Sequence, residues 1–334
     1  MALKIPSTLR LGELKALAFK CGLLSSGTKP ILTSRLYDEI SSVAPAARSR
    51  ILSIDMGIRN LAYCILDVPL KKTTRAEIIG TASAQGKIPM IREWRRLAVS
   101  SAPVSSSASG LPLVKEAFDP TSLSKAAYTL LRERLLPEKP THILIERQRF
   151  RSMGSKQILE WTIRVNMFES ILYAVLCTLK AEGVWSGEVV GVTPGKVGPF
   201  WLGEEDVVVE AGGAGNGHKK ERKSKNAKVK NKGLKIDLVR RWLEAGDVAG
   251  LGNEAVEEMA RQYMEKWDRA PGARKGGKLQ KEDGQERMGK LDDLADSLLQ
   301  GMAWIQWEEN KRLALNHGVE ILLDLEPKKS GKAK

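Results

Sequence analysis

Three acidic sites stand where burial argues against them. Asp55 lies inside the apolar stretch "SIDMGIRNLAYCIL" (53–66), and Glu146 ends "THILIE" (141–146). Asp292, Asp293 and Asp296 open the run "LDDLADSLLQGMAWIQWEENKR". A carboxylate alone in a core is costly unless it is paired or bound to a metal. Clustered carboxylates repel, and one must take up a proton unless a cation compensates. Hard oxygen donors without His or Cys select Mg²⁺, with Mn²⁺ as its substitute. Two such ions side by side activate water and stabilise a leaving oxygen in phosphodiester hydrolysis. The plainer alternative is an acidic helix cap plus two incidental strand acids, and it has to hold at all three places at once.

The elements that position these acids are legible from periodicity. Strands are expected at 51–56, 61–66 and within 75–98, the first an unbroken apolar run suited to burial on both faces. A helix follows at 121–136, a strand at 141–146, a long apolar helix at 155–181 and a strand at 187–193. Further helices are expected at 234–246 and 253–267, with a strong final one from Leu291. A strand meander followed by alternating helices and strands predicts an α/β fold with a mixed sheet. On the final helix, Leu291, Leu294, Leu298, Met302 and Ile305 form an apolar stripe, and the three aspartates fall away from it. Asp292 and Asp293 each have Asp296 as a helical neighbour. Tyr63, Trp161, Phe168 and Trp304 read as core.

Charge points to the partner. Lys and Arg outnumber Asp and Glu by 54 to 40, a formal charge of +14, which favours a polyanion such as nucleic acid. Hydrophobic residues make up 42%, enough for a sizeable core. No apolar run reads as a membrane span, so no membrane partner is expected. Cys21, Cys64 and Cys177, and His142, His218 and His317, are scattered without zinc or disulfide spacing, which predicts a reducing compartment. The first twelve residues carry Lys4 and Arg10 and no acid, compatible with an organelle-targeting segment.

Residues 203–233 are expected to be a disordered basic insertion. Between Lys219 and Lys232 they hold eight basic residues and one acid, with Lys219, Lys220 and Lys223 as candidate DNA contacts. A polar loop at 269–290 and a basic tail at 326–334 are expected likewise. Near the acids, Arg59 and Asn60 follow Asp55, and Arg147, Arg149 and Arg151 follow Glu146, as candidate phosphate contacts. Lys196, after "VTPG", is a looser candidate for the same cleft.

Two resemblances add to this reading. Residues 9–40 predict two short helices around the turn "SSGTK". The "L-x-ELK" opening, the "GL-x-x-SG-x-K" turn with Lys29 and the closing "L-x-x-RL" resemble the SAP motif, a helical module that binds DNA backbone. The expected division is therefore a SAP-like module at 1–45 and a nuclease domain at 50–325. "SIDMGIRNLAYCIL", "ILIERQRFR" and "DDLADSLL" occur in the order of RNase H-like nucleases. They resemble the RuvC-type Holliday junction resolvases, and more narrowly the fungal mitochondrial cruciform-cutting endonucleases. The resemblance implies an RNase H-like mixed sheet flanked by helices. It also implies Mg²⁺-dependent cutting of four-way DNA junctions, a dinucleotide preference at the cut, a homodimer and mitochondrial DNA recombination and segregation. By motif, Asp55 and Glu146 are the strand ligands and Asp293 and Asp296 the helix pair, with Asp292 the uncertain neighbour. A sugar-kinase or actin-like ATPase would need a second Asp-x-Gly hairpin and an adenosine-binding glycine motif, and neither is found in a suitable place.

Overall fold

The computed structural model describes residues 3–70, 88–99, 118–148, 159–203, 217–268 and 291–324, with side chains of the 217–268 segment described for 231–265. The polar loop 269–290, the basic tail, Arg149 and Arg151 lie outside the described residues.

Six strands form one mixed sheet in the order β5-β4-β1-β2-β3-β6. β1 (Ser49–Asp55), β2 (Leu61–Val68) and β3 (Met90–Leu97) make an antiparallel meander. β4 (His142–Glu146) adds parallel to β1, and β5 (Glu188–Val192) parallel to β4. A two-residue strand, β6 (Gly250–Leu251), pairs with β3 and carried no sequence signal.

Helices cover both faces. α3 (Pro120–Thr129) and α4 (Glu160–Ala181) pack with Leu52, Ile54, Tyr63, Ile65, Ile143 and Ile145 on one side. α3 starts as its sequence dictates, with Asp119 accepting from the Ser122 amide and Pro120 in the first turn. It then widens into a π turn at Leu130–Leu135 and a 3₁₀ turn at Leu136–Glu138. α4 is long and apolar enough to cross a membrane by length and composition, contrary to expectation. Its Val165, Phe168, Leu172, Leu176 and Leu179 are nevertheless buried against the sheet, so it serves as a core helix.

On the other face lie α5 (Pro194–Leu202), α6 (Gly217–Ala245), α7 (Glu254–Asp268) and α8 (Leu291–His317). Of the basic insertion expected to be disordered at 203–233, residues 204–216 lie outside the described residues and 217–233 fall on α6. The helix foreseen at 234–246 begins at Gly217, because the lysine-rich stretch holds few residues that oppose a helix once a packed C-terminal half nucleates it. α8 approaches the sheet closely because small residues meet there. A Cβ on Gly301 would sit 2.8 Å from Leu66 Cδ1 and 3.2 Å from Ser53 Cβ. Across that contact, Gln300 Nε2 donates to Ser53 Oγ at 3.2 Å and to the Ile54 carbonyl at 3.1 Å.

The N-terminal helices α1 (Leu11–Lys20) and α2 (Lys29–Ser41) share a buried cluster with the end of α8 and with α9 (Glu320–Asp324). Leu14, Leu17, Leu32, Leu36 and Ile40 pack there with Leu313, Ala314, Val319 and Leu322. The hairpin is therefore docked on the large domain. Its turn is pinned by side chains: Asn310 Nδ2 donates to the Lys20 carbonyl at 2.7 Å, and Lys20 Nζ donates to that of Leu322 at 2.5 Å. Gly22 ends α1 at φ +67°, and a Cβ there would lie 2.3 Å from the Trp307 ring. Gly22→Ala should therefore cost about 2–4 kcal/mol, combining left-handed backbone strain with overpacking. Gly12→Ala, inside α1 with open space around its Cβ, should be neutral or stabilising. Urea unfolding of both variants checks this, and equal stabilities would contradict the docking.

Candidate active site

Strand alternation decides where the acids point. Ile51 and Leu144 face the α5–α8 side, so Asp55 and Glu146, in step with them at every second residue, face it too. β1 and β4 are parallel neighbours paired through Ile54 and Ile145, which sets their terminal acids side by side. α8 crosses above with Asp296. Asp55, Glu146, Asp296, Gln300 and Lys235 line a small pocket of about 40 Å³, closed on one side by Pro194, Val197 and Gly198 of α5.

The charges are unbalanced. Asp55 and Glu146 end neighbouring strands, where two bare carboxylates repel each other. Burial first, then Glu146, pushes the Asp55 carboxyl well above the usual carboxylate range, and Asp296 and Asp293 add to the rise. Burial also raises Glu146, and it raises Asp296 against the opposing pull of Lys235. Lys235 Nζ lies 2.5 Å from Asp296 Oδ1. Asp293 Oδ2 accepts from Arg96 Nε on β3 at 3.1 Å, and Arg96 also binds the Asn60 side chain. Asp292 pairs with Lys232 of α6. Gln148 Nε2 donates to Glu146 Oε2 at 3.3 Å.

Among the described residues no three acidic, histidine or cysteine side chains converge closely enough to hold an ion in this arrangement. The donor set still suits a hard divalent cation. Three carboxylates from three elements share a polar pocket larger than the ~10–15 Å³ one water requires. Burial disfavours the charged form of two of them, Asp55 and Glu146, a penalty that a cation would offset.

The expected nucleic-acid contacts divide. Arg59 lies in the turn after β1, its guanidinium 5.0 Å from the Trp161 ring and 5.7 Å from that of Phe118, on the α3/α4 side of the sheet. Asn60 is close by, held by Arg96. Arg147 packs along Gly191 and lies near Glu169. Lys196 does not face the carboxylates: its Nζ donates to the Gly22 carbonyl at 2.6 Å. The reason is helical geometry, since Lys196 lies on the side of α5 away from Val197 and Gly198. Lys29 Nζ donates to the Ser7 carbonyl at 2.7 Å, within the N-terminal region. Lys219, Lys220 and Lys223 fall on α6, where their side chains are not described. Tyr63 and Phe168 are core, as expected, and Trp304 is half-buried against His142. Trp161 departs from that reading: it is 37% exposed and carries Arg59 on its ring.

Sequence reasoning missed Lys235, Lys232, Arg96 and Gln300. A basic residue in a basic stretch or on an edge of alternating charge carries no local mark. Only the crossing of α6 and β3 over α8 brings these groups to the acids.

The chain also has relatives among known proteins. The family described as mitochondrial resolvase Ydc2 / RNA splicing MRS1 matches residues 51–313. The mitochondrial cruciform cutting endonuclease 1 of Schizosaccharomyces pombe is 25% identical over 307 residues, covering 90% of this chain and 93% of that protein. Its namesake in Saccharomyces cerevisiae is 22% identical over 325 residues, covering 89% and 82%. The crystal structure of the yeast mitochondrial Holliday junction resolvase Ydc2 superposes with a TM-score of 0.55 at 24% identity, over 96% of this chain and all of that one. That likeness extends to the RNase H-like mixed sheet flanked by helices. With the matched segment spanning all three acidic sites, the chain belongs to the mitochondrial resolvase Ydc2 / RNA splicing MRS1 family.

Proposed function

We propose that this protein is a structure-selective endodeoxyribonuclease that resolves four-way DNA junctions in mitochondrial DNA recombination and segregation. The observation that carries the reading is the meeting of Asp55, Glu146 and Asp296 in one pocket at the end of the sheet. Asp55, Glu146, Asp296 and Asp293 would hold Mg²⁺, or Mn²⁺ in its place, with Asp292 turned toward Lys232. When bound, such ions supply an activated water and charge stabilisation at the leaving 3′ oxygen.

The chain's own groups prepare the site. Asp55 and Glu146, fixed on adjacent strands, keep their oxygens in one place without reorganisation. Lys235 balances Asp296, and Arg96 fixes the orientation of Asp293. Gln300 anchors α8 to β1 one turn beyond Asp296. Arg59 and Arg147, in the segments that follow Asp55 and Glu146, offer positive charge suited to phosphate at the same end of the sheet. α6 meets the acidic start of α8 through Lys232, and the basic stretch before it is a place for duplex arms. The SAP-like hairpin supplies a second backbone contact through its turn and Lys29.

A homodimer fits the substrate. Resolution needs cuts on two strands of like polarity, and two sites about a C2 axis match the junction's two-fold symmetry. The start of α4 leaves Leu159 72% and Ile163 51% exposed, an apolar edge suited to a second copy. The family description also covers RNA splicing, so structured RNA is the second substrate class. The intact acids favour cutting over binding alone.

Asp55→Asn, Glu146→Gln and Asp296→Asn should each lower junction cleavage by roughly 100-fold or more, since each removes charge worth several kcal/mol in the transition state. Junction affinity should stay within about threefold, because phosphate contacts come from basic residues. Wild-type cutting by Asp55→Asn would remove the assignment, and cutting of a folded RNA in preference to the junction would select the second class.

Replacing Lys219, Lys220 and Lys223 with Gln should flatten the plot of log affinity against log salt, by about 0.9 for each phosphate no longer neutralised. An unchanged slope assigns the stretch another role. Light scattering of the free protein and of its junction complex should give two chains, and one chain in both, with full resolving activity, would overturn the dimer.

A further inference from the structure

Resting on the proposed nuclease reading, we infer that Lys196 is a positioning residue for cleavage, tying the helix that walls the carboxylate pocket to the turn of the N-terminal hairpin. α5 has little tendency to be a helix alone. In "PGKVGPFWL" two glycines and the internal Pro199 weaken it, and Pro199 removes one backbone donor. Its position therefore depends on what it touches.

Those contacts fall on separate faces. At roughly 100° per residue, Pro194, Val197 and Gly198 share one side, and Lys196 and Phe200 lie about 130° away from it. The first side borders Asp55, Glu146 and Asp296. On the second, Lys196 donates to Gly22, and the Phe200 ring meets Phe19 at 6.1 Å and Trp307 at 5.6 Å. Gly22 is the left-handed residue just beyond the C-cap of α1, so its carbonyl lies at the C-terminal end of that helix, where a cation is favoured. Lys196 is half-buried, and its stem is spent on this span rather than on solvent. α5 thus joins the hairpin to the pocket wall, and Lys196 is its charged tie. A shift of the wall by a fraction of an ångström misaligns reacting groups, a sensitive quantity in any positioned reaction.

The test compares Lys196→Met with Lys196→Arg, which reaches the same carbonyl. Single-turnover junction cleavage, junction Kd and amide exchange of residues 194–202 are measured for each. Lys196→Met should cut about tenfold more slowly, bind the junction within about twofold of wild type, and exchange faster across α5; Lys196→Arg should restore all three. Wild-type cutting by Lys196→Met overturns the inference, as does a loss of affinity in proportion to the rate, which would make Lys196 a phosphate contact. If the wild-type protein cuts no junction, the nuclease reading fails; unchanged α5 exchange in Lys196→Met then overturns the tie separately. Should Lys196→Met not fold, Lys196→Gln takes its place in the same comparison.

Discussion

Everything near the end of the sheet answers to one constraint, the mutual repulsion of buried carboxylates. Asp55 and Glu146 sit side by side on parallel strands, and Asp296 is brought against them from α8. Burial strengthens that repulsion because little water screens it. The protein meets it with cations of its own, Lys235 on Asp296, Lys232 on Asp292 and Arg96 on Asp293. A site so arranged holds a repulsion that a divalent ion relieves.

The packing around it keeps the repulsion from being relaxed by movement. Strand pairing fixes Asp55 and Glu146, and the Gly301–Ser53 contact lets α8 lie close enough for Gln300 to bond the β1 backbone. The Trp94 indole donates to the Leu294 carbonyl at 3.0 Å, and the Trp201 indole donates to that of Leu299 at 3.0 Å. These bonds brace α8 on both sides of Asp296. The far end of the same helix carries the N-terminal hairpin, so one 27-residue element spans from the acids to that hairpin. Structural disturbance at either end has a rigid path to the other.

Much of this was legible in the sequence, for a physical reason. An acid inside an apolar strand is improbable without compensation, so Asp55, Glu146 and the aspartates of "DDLAD" announced a site before any fold was known. Strand and helix positions followed from periodicity, because burial of one face imposes a period on the side chains themselves. The antiparallel meander and the parallel β4 and β5 agreed with that pattern.

What the sequence by itself determined, then, was the acids and the elements that carry them. Tertiary structure decided their companions. Lys235, Arg96 and Gln300 acquire roles only where α6, β3 and α8 cross, and no local pattern records a crossing. Lys196 looked like a cleft residue and turned to Gly22 because a nine-residue helix has two faces and only one borders the acids. The part of the basic run from Gly217 on is helix because the C-terminal half of α6 packs against α8 and the helix propagates backward. Side-chain type and spacing are local properties of the chain. Charge compensation acts through space, so its partners are chosen by the fold.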